Sequence, residues 1–170
     1  ALYGLRGLDK EFDILCSGIN VGSNLGTEVL YSGTVAACEE AATLGVKSIA
    51  FSYCGRGASR ANYRAIAEIC GAVFDKFALK LGSDYVLNVN VPSENANPEE
   101  TKITPLGRRL YSNAHEWKNE NTYMLTGMPL PLDNPSDCDV VWAEKGYVTA
   151  TPVTVDRTAH SAVADLKDRI

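Results

Sequence analysis

Ser17-Gly18-Ile19-Asn20-Val21-Gly22-Ser23-Asn24-Leu25-Gly26 follows directly on the apolar run Phe12-Asp13-Ile14-Leu15-Cys16-Ser17. A short apolar run that stops at a glycine-rich turn has the pattern of a buried parallel strand. In open α/β sheets, ligands bind at the carboxyl ends of strands, so this loop stands where a site belongs. Its glycines let backbone approach a ligand, and each asparagine offers an oxygen and two N–H donors. The same residues also make an ordinary Gly-Asn turn, and composition alone does not separate the two readings.

The segments on either side of the loop continue the α/β pattern. Leu2 to Leu8 reads as the end of a helix. Tyr31-Ser32-Gly33-Thr34 precedes a helix expected from about Gly33 to Leu44, which Gly45 terminates. A Ser or Thr there caps free backbone N–H groups, and the same N–H groups with the helix dipole can hold a phosphate. Lys47 to Ser52 is the next strand. Ile66, Ile69, Cys70, Val73, Phe74 and Phe77 recur at helical spacing within a helix from Arg60 to Leu81. Tyr85 to Val91 is a third strand, stopped by Pro92. Ser93 to Thr101 reads as a surface loop. Short strands and turns follow from Lys102 to Thr126, where Leu110, Tyr111, Trp117, Tyr123 and Leu125 can face a partner. Pro129 to Ser136 is an irregular connector, Cys138 to Ala143 and Tyr147 to Thr151 read as strands, and Ser161 to Ile170 as an amphipathic helix. Strands alternating with helices, then a β-rich excursion, imply one α/β domain over residues 1–170 with a mixed sheet. The excursion makes an arm over about 102–128, and 129–170 form the C-terminal segment.

Composition narrows the function classes. The 170 residues carry 16 basic and 21 acidic side chains, a net charge of −5 that disfavours binding to a nucleic acid duplex. No apolar run approaches the ~20 residues of a membrane span. The start, Ala1-Leu2-Tyr3-Gly4-Leu5-Arg6, lacks the layout of a signal peptide. The five cysteines are odd in number and none forms Cys-x-x-Cys. Cys16, Cys38 and Cys70 fall in apolar stretches and are expected to be buried free thiols, which fits a reducing cytoplasm. His115 reads as a surface residue. Asp156 and His160 are four apart, with either Asp156 or Thr158 as a helix cap and His160 as a structural hydrogen-bonding group. The alternative for His160 is a general acid. Of the adjacent Arg108 and Arg109, one at most is expected to face a given site. Asp133, Asp137 and Asp139 match no calcium loop and read as solvated loop charge.

These residues together resemble the SurE family of stationary-phase survival proteins. The resemblance runs through Ser17-Gly-Ile-Asn20, Gly22, Asn24-Leu-Gly26, Tyr31-Ser-Gly-Thr-Val35, Leu44-Gly45 and Ile49-Ala-Phe-Ser52. It continues through Leu87-Asn-Val-Asn-Val-Pro92, Ile103-Thr-Pro-Leu-Gly-Arg-Arg-Leu-Tyr111, Gly146-Tyr-Val-Thr-Ala-Thr-Pro152 and Asp156-Arg-Thr-Ala-His160. It implies a Rossmann-like three-layer α/β sandwich with an extended β-hairpin and a swapped C-terminal segment, assembled as homodimers or homotetramers. It also implies a cytoplasmic, metal-dependent phosphatase of nucleoside 5′-monophosphates, and of 3′ forms. Carried over residue by residue, Asn20 is a ligand of Mg²⁺ or Mn²⁺, and Asn24, Ser32, Gly33 and Thr34 hold the substrate phosphate. Asp156 and His160 match a pair at the swapped segment, beside the neighbouring site. Thr104 to Thr126 is the oligomerisation hairpin.

SurE proteins begin with a strand ending Asp-Asp-Gly, whose aspartates bind the metal, and a following Ser completes the set. These 170 residues contain no Asp-Asp. The expectation is therefore a domain that lacks the N-terminal metal-binding strand. Its alternative reading is a catalytically inactive, oligomerising fragment.

Overall fold

The computed structural model describes residues 1–8, 10–55, 60–112 and 114–169. Eleven elements carry the fold. In chain order they are β1 (Ile14–Val21), α1 (Gly33–Thr43), β2 (Lys47–Tyr53), α2 (Arg60–Phe77), β3 (Tyr85–Val91), β4 (Lys102–Ile103), β5 (Ala114–Asn119), β6 (Thr122–Thr126), α3 (Asp139–Glu144), β7 (Thr149–Thr154) and α4 (His160–Lys167).

The main sheet has the order β1-β2-β3-β7-β4. β1, β2 and β3 are parallel, and β7 enters antiparallel to β3. The alternation of side chains along β2 and β3 divides the core into two layers. On one face, Ile49, Phe51, Leu87, Val89 and Val91 pack against Ile66, Ile69, Cys70 and Val73 of α2. On the other, Ala50 and Val86 pack against Val35, Cys38 and Ala42 of α1. Helix on sheet on helix gives the expected three-layer, Rossmann-like sandwich. Ser32 caps α1 by accepting the Val35 N–H at 3.1 Å. Gly45, at φ +73°, turns the chain out of α1.

The helix end expected over Leu2–Leu8 is present, as one turn of π-helix over Tyr3–Gly7. Several other expectations are corrected. β1 is not buried: its residues alternate between half-buried and exposed, and among the described residues it pairs with β2 alone. Cys16 is accordingly exposed, whereas Cys38, Cys70 and Cys138 are buried. Cys138 to Ala143 is not a strand. Asp139–Glu144 form helix α3, and the following strand runs Thr149–Thr154. The arm is the antiparallel hairpin β5–β6, on which Trp117, Tyr123 and Met124 are exposed. His115, Trp117 and Tyr123 meet edge-on or tilted at 5.5 to 6.3 Å between ring centroids. Of Leu125 only the backbone is described, and Ile170 lies outside the described residues.

Candidate active site

The site is built where β1 ends. Gly18 has φ +113°, and a Cβ there would lie 2.2 Å from the Phe51 carbonyl oxygen. Only glycine lets β1 approach β2 this closely. The β1–β2 register then shifts between Ser17 and Asn20, an irregularity of the kind that re-aims side chains near sites. Asn20 ends up opposite Ser52, Ser52 opposite Asn90, and Asn90 opposite Thr149. These pairings lay one polar row across the carboxyl ends of β1, β2 and β3.

Asn24 closes over that row. Its side-chain amide donates to Ser52 Oγ at 2.6 Å and to Asn20 Oδ1 at 3.3 Å. Ser52 Oγ in turn donates to Asn20 Oδ1 at 3.1 Å, and Asn20 Nδ2 donates to the Gly22 carbonyl at 2.8 Å. The Asn24 backbone is gripped from β3: its N–H donates to Asn90 Oδ1 at 2.8 Å, and its carbonyl accepts from Asn88 Nδ2 at 2.8 Å and Asn90 Nδ2 at 3.2 Å. Asn88 and Asn90 are fully buried. The loop is thus fastened to the sheet through neutral amides. Asn88 and Asn90 were legible as a pair: two asparagines two apart in an otherwise apolar strand lie on one face. The apolar run Tyr85 to Val91 predicts the strand; the polar face is carried only by the spacing of these two residues.

The other side of the loop is held by charges. Asp139 is fully buried, which corrects its reading as solvated loop charge. Its carboxylate accepts N–H bonds from Gly26 at 2.7 Å, Gly107 at 2.7 Å and Val140 at 2.8 Å. Burial raises the Asp139 carboxyl above its ordinary value, the three N–H bonds oppose this, and Glu28 adds to the rise. The crossing is tight, because a Cβ on Gly26 would meet the Gly107 carbonyl oxygen at 2.7 Å. Arg109 turns toward the loop, pairing with Glu28 at 3.5 Å, while Arg108 is exposed.

Ser32, Gly33 and Thr34 form the start of α1, joined to the loop through the Gly26–Tyr31 turn of 3-10 helix. Helix geometry leaves the Gly33 and Thr34 N–H groups without an intrahelical partner, and Gly33 is exposed. Asp156 and His160 are brought together, with His160 Nε2 2.7 Å from Asp156 Oδ2. The structure does not bring them to Asn20 or Asn24. β7 runs from Thr149, beside Asn90, to Thr154, beside Tyr85, so the pair sits at the opposite end of the sheet. The helix cap position is Ala159 rather than Asp156 or Thr158; Asp156 instead accepts the Thr158 N–H at 2.8 Å. Cys38, Cys54 and Cys70 are pushed up to about 12 by burial and so hold their protons at neutral pH.

The profile of the family described as Survival protein SurE matches residues 1–113. The chain belongs to the SurE family. It is 33% identical over 165 residues to the 5′-nucleotidase SurE of Caldanaerobacter subterraneus, covering 94% of this chain and 64% of the relative. It is 37% identical over 162 residues to the 5′-nucleotidase SurE of Pelotomaculum thermopropionicum, covering 91% of this chain and 60% of the relative. This SurE chain therefore spans less than two thirds of the length of either. The crystal structure of the SurE protein from Aquifex aeolicus superposes with TM-score 0.75 at 32% identity, covering 97% of this chain and 68% of that one. Among the described residues, no helix is long and apolar enough to cross a membrane.

Proposed function

We propose that this SurE chain carries the phosphate-binding body of a cytoplasmic phosphatase that hydrolyses nucleoside 5′-monophosphates, and 3′-monophosphates, to nucleoside and phosphate. The observation that carries the reading is the loop Asn20–Gly26, clamped over the carboxyl ends of three parallel strands and leading into the capped start of α1. Relatives named 5′-nucleotidase SurE align over nearly all of the chain. In this reading the Gly33 and Thr34 N–H groups and the positive end of α1 hold the phosphate oxygens, with Ser32 fixing the helix start. Asn24 joins them at the phosphate by exchanging one of its two amide N–H bonds, which here go to Ser52 and Asn20. Free cysteines at every one of the five positions support a reducing compartment.

The proposed cofactor is Mg²⁺ or Mn²⁺, with Asn20 as one ligand. The donor set of these residues does not fit such an ion on its own. Asn20 Oδ1 already accepts two hydrogen bonds, its neighbours Asn24 and Ser52 are neutral, and a hard dication takes carboxylates. Among the described residues no three His, Cys, Asp or Glu side chains gather as a ligand cluster. Asn20 is therefore one neutral donor in a site whose carboxylates these residues do not include.

A homodimer or homotetramer is proposed through the exposed β5–β6 hairpin and the C-terminal segment, whose α4 buries no residue. Asp156 and His160 would brace that segment, and would act as catalytic groups only toward a neighbouring protomer's site.

The test is phosphate release from nucleoside 5′- and 3′-monophosphates against Mn²⁺ concentration, using the protein at the length the cell makes. Saturable, Mn²⁺-dependent release that falls about 100-fold or more in Asn20→Ala is expected. Normal turnover in Asn20→Ala would sink the assignment. Turnover by the 170 residues alone would remove the inactive-fragment alternative.

A further inference from the structure

Three side chains close a hydrogen-bonded ring on the outer side of the substrate loop. Ser23 Oγ donates to Glu28 Oε2 at 2.8 Å and accepts from Arg109 Nη1 at 2.8 Å, and Arg109 Nη1 lies 3.5 Å from Glu28 Oε2. Glu28 Oε2 also accepts the Leu25 N–H at 3.0 Å, and Tyr111 donates its hydroxyl to Glu28 Oε1. The Arg109 and Glu28 side chains are 24% and 16% exposed, so water screens the pair only partly. Backbone bonds between Arg109 and Thr27 Oγ1 hold the arginine's main chain in place independently of its head group.

We propose that Arg109, acting through Glu28, is a positioning residue for Ser23 and Leu25, the two residues that flank Asn24. The proposal rests on the nucleotidase reading above. The asparagines of β3 fix the loop from the sheet side; the ring fixes it from the solvent side. Arg109 has a second effect. Without its guanidinium, Glu28 leaves an uncompensated negative charge against the loop that is to receive a phosphate dianion, and like charge repels there. Arg109 Nη1 is turned to Ser23 and Glu28, and the double variant below separates this role from that of an arginine reaching for the phosphate itself.

The two effects give a signature that loss of fold would not. Arg109→Gln is expected to raise KM for a nucleoside 5′-monophosphate about tenfold, because an unpaired charge is left behind. Adding Glu28→Gln to Arg109→Gln removes that charge and is expected to bring KM back to within about threefold of the wild type. Arg109→Lys keeps the charge and is expected to lie between the wild type and Arg109→Gln. A double variant as impaired as the product of the single losses would mean that Arg109 touches substrate directly, and would overturn the proposal. So would an unchanged KM in Arg109→Gln. Amide hydrogen exchange gives a readout that needs no turnover: the Leu25 N–H should exchange about tenfold faster in Arg109→Gln, with the Val73 N–H in α2 unchanged. If the wild type releases no phosphate, the nucleotidase reading fails and Leu25 exchange alone decides the positioning role. Unchanged Leu25 exchange overturns it.

Discussion

Single residues at this site are fixed by contacts from distant parts of the chain. Gly18 is one: at φ +113° and 2.2 Å from a backbone oxygen, a methyl group has nowhere to go. Gly18→Ala is expected to cost roughly 3 kcal/mol or more, read as a lowered midpoint in urea unfolding, because backbone rather than a flexible side chain must move. Asp139 is another. Its carboxylate satisfies three N–H groups, and Asp139→Asn would turn an NH₂ toward one of them, costing roughly 2–3 kcal/mol at pH 7. The raised carboxyl also sets the sign of a pH effect. The folded state holds this proton more tightly than the unfolded chain, so the Asp139 contribution declines as pH rises from about 4 toward the raised folded value. Urea midpoints across that range should show the decline in the wild type and its absence in Asp139→Asn. Nothing local marked Asp139 apart from Asp133 and Asp137. What distinguishes it is that Gly26 and Gly107, 113 and 32 positions away, arrive at its two oxygens.

Elements were legible where a period ran long enough. The helical spacing of Ile66, Ile69, Cys70 and Val73 predicts α2, and the apolar runs predict β2 and β3, to within a few residues. Cys138 to Ala143 was not legible because a six-residue stretch with five apolar residues fits a strand or nearly two turns of helix equally. Pro135, whose carbonyl accepts the Cys138 N–H at 3.2 Å, and Asp139 in the first turn tip it to helix. The burial of β1 was overestimated because an apolar run carries no information about how many neighbours its strand has. The start of α1 offers a test at this scale. Ser32→Ala is expected to lower stability by about 1 kcal/mol and Ser32→Gly by only a few tenths, because the lost contribution is the cap to Val35. Equal losses in both variants, by urea unfolding, would mean that Ser32 matters for something other than the cap.

At the scale of the molecule, one reversed strand sorts the candidate residues. β7 runs against β3, so the chain that leaves it emerges at the end of the sheet away from Asn20 and Asn24. Asp156 and His160 are read from sequence as a pair, and a pair they are; which end of the sheet they occupy depends on strand direction, which no local pattern reports. There Arg157 reaches Glu39 of α1 at 3.2 Å, and Asp156 ties Thr158 and His160. The hydrogen bonds from Thr158, and then from His160, hold the Asp156 carboxyl below its ordinary value. This tether is therefore complete above the ordinary carboxylate range, near 4, and is lost as pH falls through the lower folded value. Amide exchange should show α4 losing protection in that acidic window while α2 keeps its own; protection of α4 that ignores pH would refute the tether.

The amide grip on the loop has a consequence for proton accounting. Asn20, Asn24, Ser52, Asn88 and Asn90 neither gain nor lose protons across the physiological range, so the surface they shape is chemically the same in mild acid and mild base. A phosphate monoester, by contrast, passes from monoanion to dianion near pH 6. Affinity that changes with pH in that region then separates into two curves: the ligand's own titration, and that of the Asp139 carboxyl behind Gly26, which Asp139→Asn removes.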